Sequence, residues 1–157
     1  MDNALPGERI KMHVLKVGKS FGFGRVDEFI SQSKHRVTQL NLDYLRTGIA
    51  DFGHLSYDEQ VKFKHKQVVD ILRKTAGKSD YPVLPVVEAI KTINYRNKAQ
   101  IPVQMVDGLL TTGFYRKNSH TLIPVEDFYL QPPEIDAVAL FLRDEFRPIN
   151  LHAYAEY

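Results

Sequence analysis

At 157 residues, with 43% apolar content and no cysteine, the chain can form one ordinary domain or two small ones sharing an interface. The missing cysteines exclude disulfides, thiolate metal sites, iron–sulfur clusters held by this chain and a cysteine nucleophile. The net charge of +2 hides an asymmetry: residues 126–157 hold seven acids against Arg143 and Arg147, which leaves residues 1–125 at about +7. A basic body suggests a polyanionic partner, and an ordinary solvated surface is the bland alternative. No apolar run is long enough to span a membrane, and MDNALPGERIK has no signal-peptide core. The expected compartment is the cytoplasm.

In chain order, the turn LPGE leads into ERIKMHVLKV (residues 8–17), which places Ile10, Met12 and Val14 on one side of a half-buried strand. KSFGFGRVDEFI follows as a second, glycine-punctuated strand in which Gly22-Phe23-Gly24 reads as a bulge or turn, not a cofactor loop. A lone pair of strands is marginal, so this piece packs on something or is incomplete. Residues 31–54 have no clear period and read as a connector with short irregular turns. Over residues 56–77 the spacing predicts a helix. Ser56 and Glu59 fit a capping box, Val61, Val68, Leu72 and Ala76 share a face, and Gly77 terminates it. His65 on that face reads as a packed histidine rather than a ligand. From Tyr81 the pattern is strand-like through VLPVVEAI, a hairpin and HTLIPVEDFYL. A second helix follows Pro132-Pro133, expected to bury Ile135, Val138, Ala139, Leu142 and Phe146, and to end at Arg147-Pro148.

The hairpin in 94-NYRNKAQIPVQMVDGLLTTGFYRKNSH-120 carries the functional signal. Asp107-Gly108 is a two-residue type I′ turn, which sets Val106 opposite Leu109, Gln104 opposite Thr111, Gln100 opposite Tyr115 and Lys98 opposite Lys117. One face is then a core of Tyr95, Ala99, Ile101, Val103, Met105, Leu110 and Phe114. The other carries Arg96, Lys98, Gln100, Gln104, Thr111, Tyr115 and Lys117. Two opposed lysines repel unless a phosphate lies between them. Amide and tyrosine side chains can bond to or stack on an unpaired base. Arg116 points to the other face by parity but lies near the strand end. The competing reading is a polar outer face with no ligand.

YRNKAQIPV, GFYRKNSH and the segment ending at Gln131 resemble the central domain of the 5-methyluridine RNA methyltransferases. ALPGE and the strand after it are similar to the second half of the small RNA-binding β-barrel, the TRAM domain, that opens those proteins. The spacing Ser33–Arg36 and GHLSYDEQVKFK (53–64) match the following segment, and the ribosomal RNA members of Gram-positive bacteria look most alike. The resemblance implies an α+β fold: a partial barrel element in residues 1–38, a connector and helix in 39–79, and a central antiparallel β domain with a C-terminal helix in 80–157. It implies a monomer, an RNA partner and no membrane. It adds His120, Lys34 and Arg36 to the RNA-contact candidates. Many members carry four cysteines for an iron–sulfur cluster. Here those positions fall near Asn41, Thr47, Ala50 and Phe128, which implies a cluster-free branch.

In that family S-adenosylmethionine is bound by a further domain that also carries a nucleophilic cysteine, which adds to carbon 6 of uracil so that carbon 5 can attack the methyl donor. The chain therefore reads as the RNA-recognition portion of a longer enzyme, packing on a domain it lacks and inactive alone. The runner-up is a free-standing RNA-binding module. An enzyme built on His13, His35, His54, His65, His120 and His152 is disfavoured, because they show no close metal spacing and no paired base.

Overall fold

The computed structural model describes residues 3–77 and 80–149. Strands β1 (Arg9–Val17) and β2 (Gly22–Ser31) are followed by helices α1 (Leu42–Thr47) and α2 (Tyr57–Ala76). Strands β3 (Val103–Val106), β4 (Leu109–Tyr115) and β5 (Leu122–Pro124) precede helix α3 (Pro133–Phe146). The sheets are a β1-β2 ribbon and a β3-β4-β5 antiparallel sheet, with no closed barrel among the described residues. This is the α+β class expected. No described helix is long and apolar enough to cross a membrane.

The chain divides into two units, one taking residues up to Leu40 with Phe52–Glu88, the other Asn41–Asp51 with residues from Ala89 on. In the first unit, Gly7 takes φ 85° and the Glu8 amide donates to Leu5 O at 3.2 Å. This is the type II turn that Pro-Gly chemistry favours. Between Val14 and Lys16 the β1–β2 register shifts where Gly22-Phe23-Gly24 pairs, as a bulge would make it. The expected burial of β1 is not seen: Met12 is 42% and Val14 54% exposed. A two-stranded ribbon has too little sheet of its own to cover such a face.

Helix α2 runs where its period places it, and Gly77 ends it in the left-handed region. Two details differ. Ser56 makes no side-chain cap bond, and Glu59 pairs with Lys62 at 2.6 Å while the Ser56 amide donates to His35 O at 2.9 Å. No α2 residue is fully buried, and Val68 and Ile71 lie open.

In the second unit, residues 41–51 contain α1 (Leu42–Thr47) where only irregular turns were expected. Asn41 caps it through Oδ1 to the Asp43 amide at 3.0 Å, and Gly48 closes it in the left-handed region. Asp107 and Gly108 both have positive φ, and the β3–β4 register is the predicted one from Val106↔Leu109 to Val103↔Thr112. There the ladder stops, short of the expected Lys98–Lys117 opposition. The next hydrogen-bonded pair would be Pro102 with Gly113. Gly113 N donates to Pro102 O at 3.3 Å, but proline has no N–H to return. Leu110 and Thr112 are buried, whereas Tyr95, Val103 and Met105 from the expected core face are exposed. β5 presses so close that a Cβ on Gly113 would lie 2.1 Å from Ile123 O.

The strand expected over VLPVVEAI is absent. Leu84, Val87 and Ile90 stand at 80%, 94% and 102% exposure, in a segment where Pro82 and Pro85 remove ladder donors. Helix α3 ends at Arg147 as expected, but its buried residue is Arg143, while Val138, Leu142 and Phe146 remain exposed. The Arg143 guanidinium reaches Glu126 at 3.0 Å and Asp144 at 2.9 Å, and Arg147 Nε donates to Leu110 O at 3.0 Å. Arg143 and Arg147 tie this helix to β4 through Thr112 and Leu110 O, while Ile135 and Ala139 of the expected stripe are half-buried.

Candidate nucleic-acid interface

The interface grows from one strapped segment of the second unit. Asn94 N donates to Tyr129 O at 3.2 Å and Arg96 N to Leu130 O at 2.8 Å. The Asn94 amide, in the orientation that satisfies it, adds bonds to Tyr129 O and Gln131 O at 3.1 Å each. Asn94 and Tyr129 both take positive φ, and Leu130 N closes a tight turn on Phe128 O at 2.6 Å. A non-glycine residue in such a turn is strained and needs support. Tyr129 has it. Its amide donates to Asp127 Oδ1 at 2.9 Å, and its ring packs 4.7 Å from Tyr44. Tyr44 OH donates to Asp127 O at 3.0 Å. Burial, with Asp127 nearby, pushes both phenols above their ordinary range, so they stay neutral.

The strap brings Arg96 and Gln100 to the rim of a half-enclosed cleft of about 200 Å³, also lined by Gln131, Thr47, Phe114 and Phe128. Phe128 is wholly buried, edge-on to Phe114 with centroids 5.6 Å apart. Gln131 is 3% exposed, and its Nε2 has no hydrogen-bond partner. A buried amide donor left unpaired is costly, about 1–3 kcal/mol. Sequence reasoning missed Gln131. Its signals were its place at the end of the family-like segment and a polar residue between Leu130 and two prolines.

Lys117 lies beside this cleft. Its amide donates to Arg46 O at 2.9 Å, its ammonium pairs with Asp51, and its side chain passes over Gly48, another lining residue. Tyr115, Arg116 and His120 surround the β4–β5 turn. Arg116 N donates to Thr121 O at 2.9 Å, and the Tyr115 and His120 rings lie 6.3 Å apart. Lys98 is exposed on the segment between Arg96 and Gln100. Seven of the nine RNA-contact candidates thus fall in the second unit. Lys34 and Arg36 fall in the first, and Arg36 is engaged there. Its guanidinium holds Glu8 at 2.6 and 2.7 Å, bonds Asn3 O at 2.6 Å, and sits over the Phe29 ring. Among the described residues no group of three His, Asp or Glu side chains is placed to hold a metal.

The four positions at which the resemblance would put cysteines share this unit and are tied by ordinary contacts. Asn41 caps α1, Thr47 Oγ1 donates to Asp43 O at 2.7 Å, Ala50 N donates to Tyr44 O at 3.2 Å, and Phe128 fills the core.

No family model matches the chain. Curated relatives do. Over 99% of this chain it is 96% identical to a Lactococcus lactis protein named an uncharacterized RNA methyltransferase. Proteins of the same description from Streptococcus mutans and Streptococcus agalactiae are 51% and 53% identical over 99% of the chain. By name, the relatives of this chain are RNA methyltransferases. The chain spans about a third of their length, 34% of the Lactococcus protein and 35% of the streptococcal ones.

Proposed function

We propose that this chain is the RNA-recognition portion of an S-adenosylmethionine-dependent uracil-5-methyltransferase acting on ribosomal RNA. The observation that carries the reading is the cleft, with an arginine and an amide at its rim, a lysine beside it and Phe114 in its apolar lining. That set neutralises phosphate and receives bases. The names of the relatives and the resemblance of YRNKAQIPV and GFYRKNSH support it.

The methyl donor does not fit here. The cleft is smaller than the roughly 300–1,000 Å³ typical of ligand sites of drug size, and no glycine-rich loop opens a helix beside it. With no cysteine, the chain cannot supply the thiolate that activates uracil. The chain alone is expected to transfer no labelled methyl group to ribosomal RNA and to be colourless. Turnover, or stoichiometric iron by elemental analysis, would refute that assignment.

Lys98, Lys117, Arg96 and Arg116 are the phosphate contacts in this proposal, with Tyr115, Gln100 and His120 beside them. Lys34 offers a further contact from the first unit. Arg36 would have to leave Glu8 to take part. Lys98→Ala should weaken RNA binding across sequences and reduce the salt slope by about one unit. Lys117→Ala should act in the same direction but less, because Asp51 already takes part of its charge. Fluorescence anisotropy across a salt series tests both. Unchanged slopes would leave this face an ordinary solvated surface.

A further inference from the structure

We infer that the cleft beneath Arg96 takes a single unpaired nucleobase, with the Gln131 amide donating to an acceptor on its edge. The inference rests on the RNA reading above and narrows it from a surface to one pocket. Three observations converge. Gln131 Nε2 is buried without a partner, although its neighbours are held by backbone bonds on both sides of the strap. Native proteins leave few such donors, and each one calls for an explanation, a bound partner or a water among them. The cleft's volume of about 200 Å³ suits one planar ring with a few waters and is too small for a nucleotide cofactor. Its lining is chemically sided, with the half-buried Phe114, Ile49 and Leu130 giving apolar contact while the exposed Arg96 and Gln100 stand at the rim. A base entering ring-first would meet the amide at the bottom and leave its phosphate near Arg96.

The alternatives fit less well. A free phosphate would desert the apolar lining, and an apolar side chain would leave the Gln131 donor as unpaired as before. Gln100, exposed at the rim, is free to bond the base from the solvent side, which makes it a second contact of the same pocket.

The test uses the 157-residue chain and two single-stranded probes of equal length, an oligouridylate and its abasic ribose-phosphate analogue. The chain should bind the oligouridylate several-fold to a hundred-fold tighter than the abasic probe, the range that one bound base contributes. Gln131→Leu should remove most of that difference, leaving abasic binding and the salt slope unchanged. Its melting temperature should hold or rise, because the variant deletes an unpaired buried donor. Gln100→Ala, on the exposed rim, should lower oligouridylate binding in the same selective way without touching the fold. Lys98→Ala serves as the contrast and should weaken both probes alike. If the glutamine variants leave the preference intact, or weaken both probes equally, the base pocket is wrong while RNA binding stands. If the chain binds neither probe, the RNA reading itself falls, and the pocket with it.

Discussion

Phe128→Ala should cost about 3–5 kcal/mol of stability, as deletion of a buried aromatic ring does. Phe128 is the one large side chain among the described residues with no solvent exposure. Its ring meets Phe114 edge to face, at 79° between planes, a geometry that adds about 0.5–1.5 kcal/mol beyond burial alone. The backbone on either side is committed too. Phe128 N donates to Asp136 Oδ2 at 3.2 Å, and the strained turn at Tyr129 is held by the Asp127 carboxylate and the Tyr44 ring. Collapse of the alanine variant into the vacated space is therefore restricted, which places the cost high in the range. Phe128→Leu, which keeps much of the volume, should cost clearly less. With no tryptophan in the chain, urea unfolding is best followed by circular dichroism. A loss below about 1 kcal/mol for the alanine variant would show that the second unit is not organised around this ring.

Features set by neighbours along the chain were legible from sequence, and those set by partners far along it were not. Asp107-Gly108 dictates its own turn, Pro6-Gly7 likewise, and Gly77 stops α2, because each acts through φ alone. Apolar periodicity located α2 and α3 but misjudged what they bury. Arg143 lies inside because Glu126 and Thr112, 17 and 31 residues away in sequence, wait for it, and no spacing rule announces that. The hairpin register was right as far as the ladder runs. Extending it past Pro102 ignored the missing N–H, and the lysine opposition fell with that extension. Of the candidate site, its basic and amide members were visible as an unusual polar face. The cleft and the orphan amide of Gln131 were not, since both depend on residues 94–96 lying along 129–131.

The second large effect should come from Glu8 and Arg36. Both side chains are nearly shut off from solvent, at 1% and 6% exposure, and they meet at 2.6 Å. The Arg36 guanidinium, with help from the amides of Leu5 and Ser33, holds the Glu8 carboxyl down at about 2 against the opposing push of burial. A carboxyl lowered by folding adds stability above its unfolded value, near 4.5, and loses it as pH falls toward its folded value. The span from near 4.5 to about 2 corresponds to about 3 kcal/mol, present at neutral pH and lost through the window between those values. Glu8→Gln should flatten the pH dependence of unfolding in that window. Exposed carboxylates that titrate alongside are common to both proteins and cancel in the difference. Arg36→Met should be harsher, about 3–5 kcal/mol at neutral pH, because it strands a buried carboxylate with only two amide donors. In the double variant the arginine loss should shrink, since no charge remains to strand. If wild type and Glu8→Gln lose stability in parallel from pH 5 to pH 2.5, the pair is not what anchors the LPGE turn to the Ser33–Arg36 segment. Arg36 would then be available to a phosphate after all.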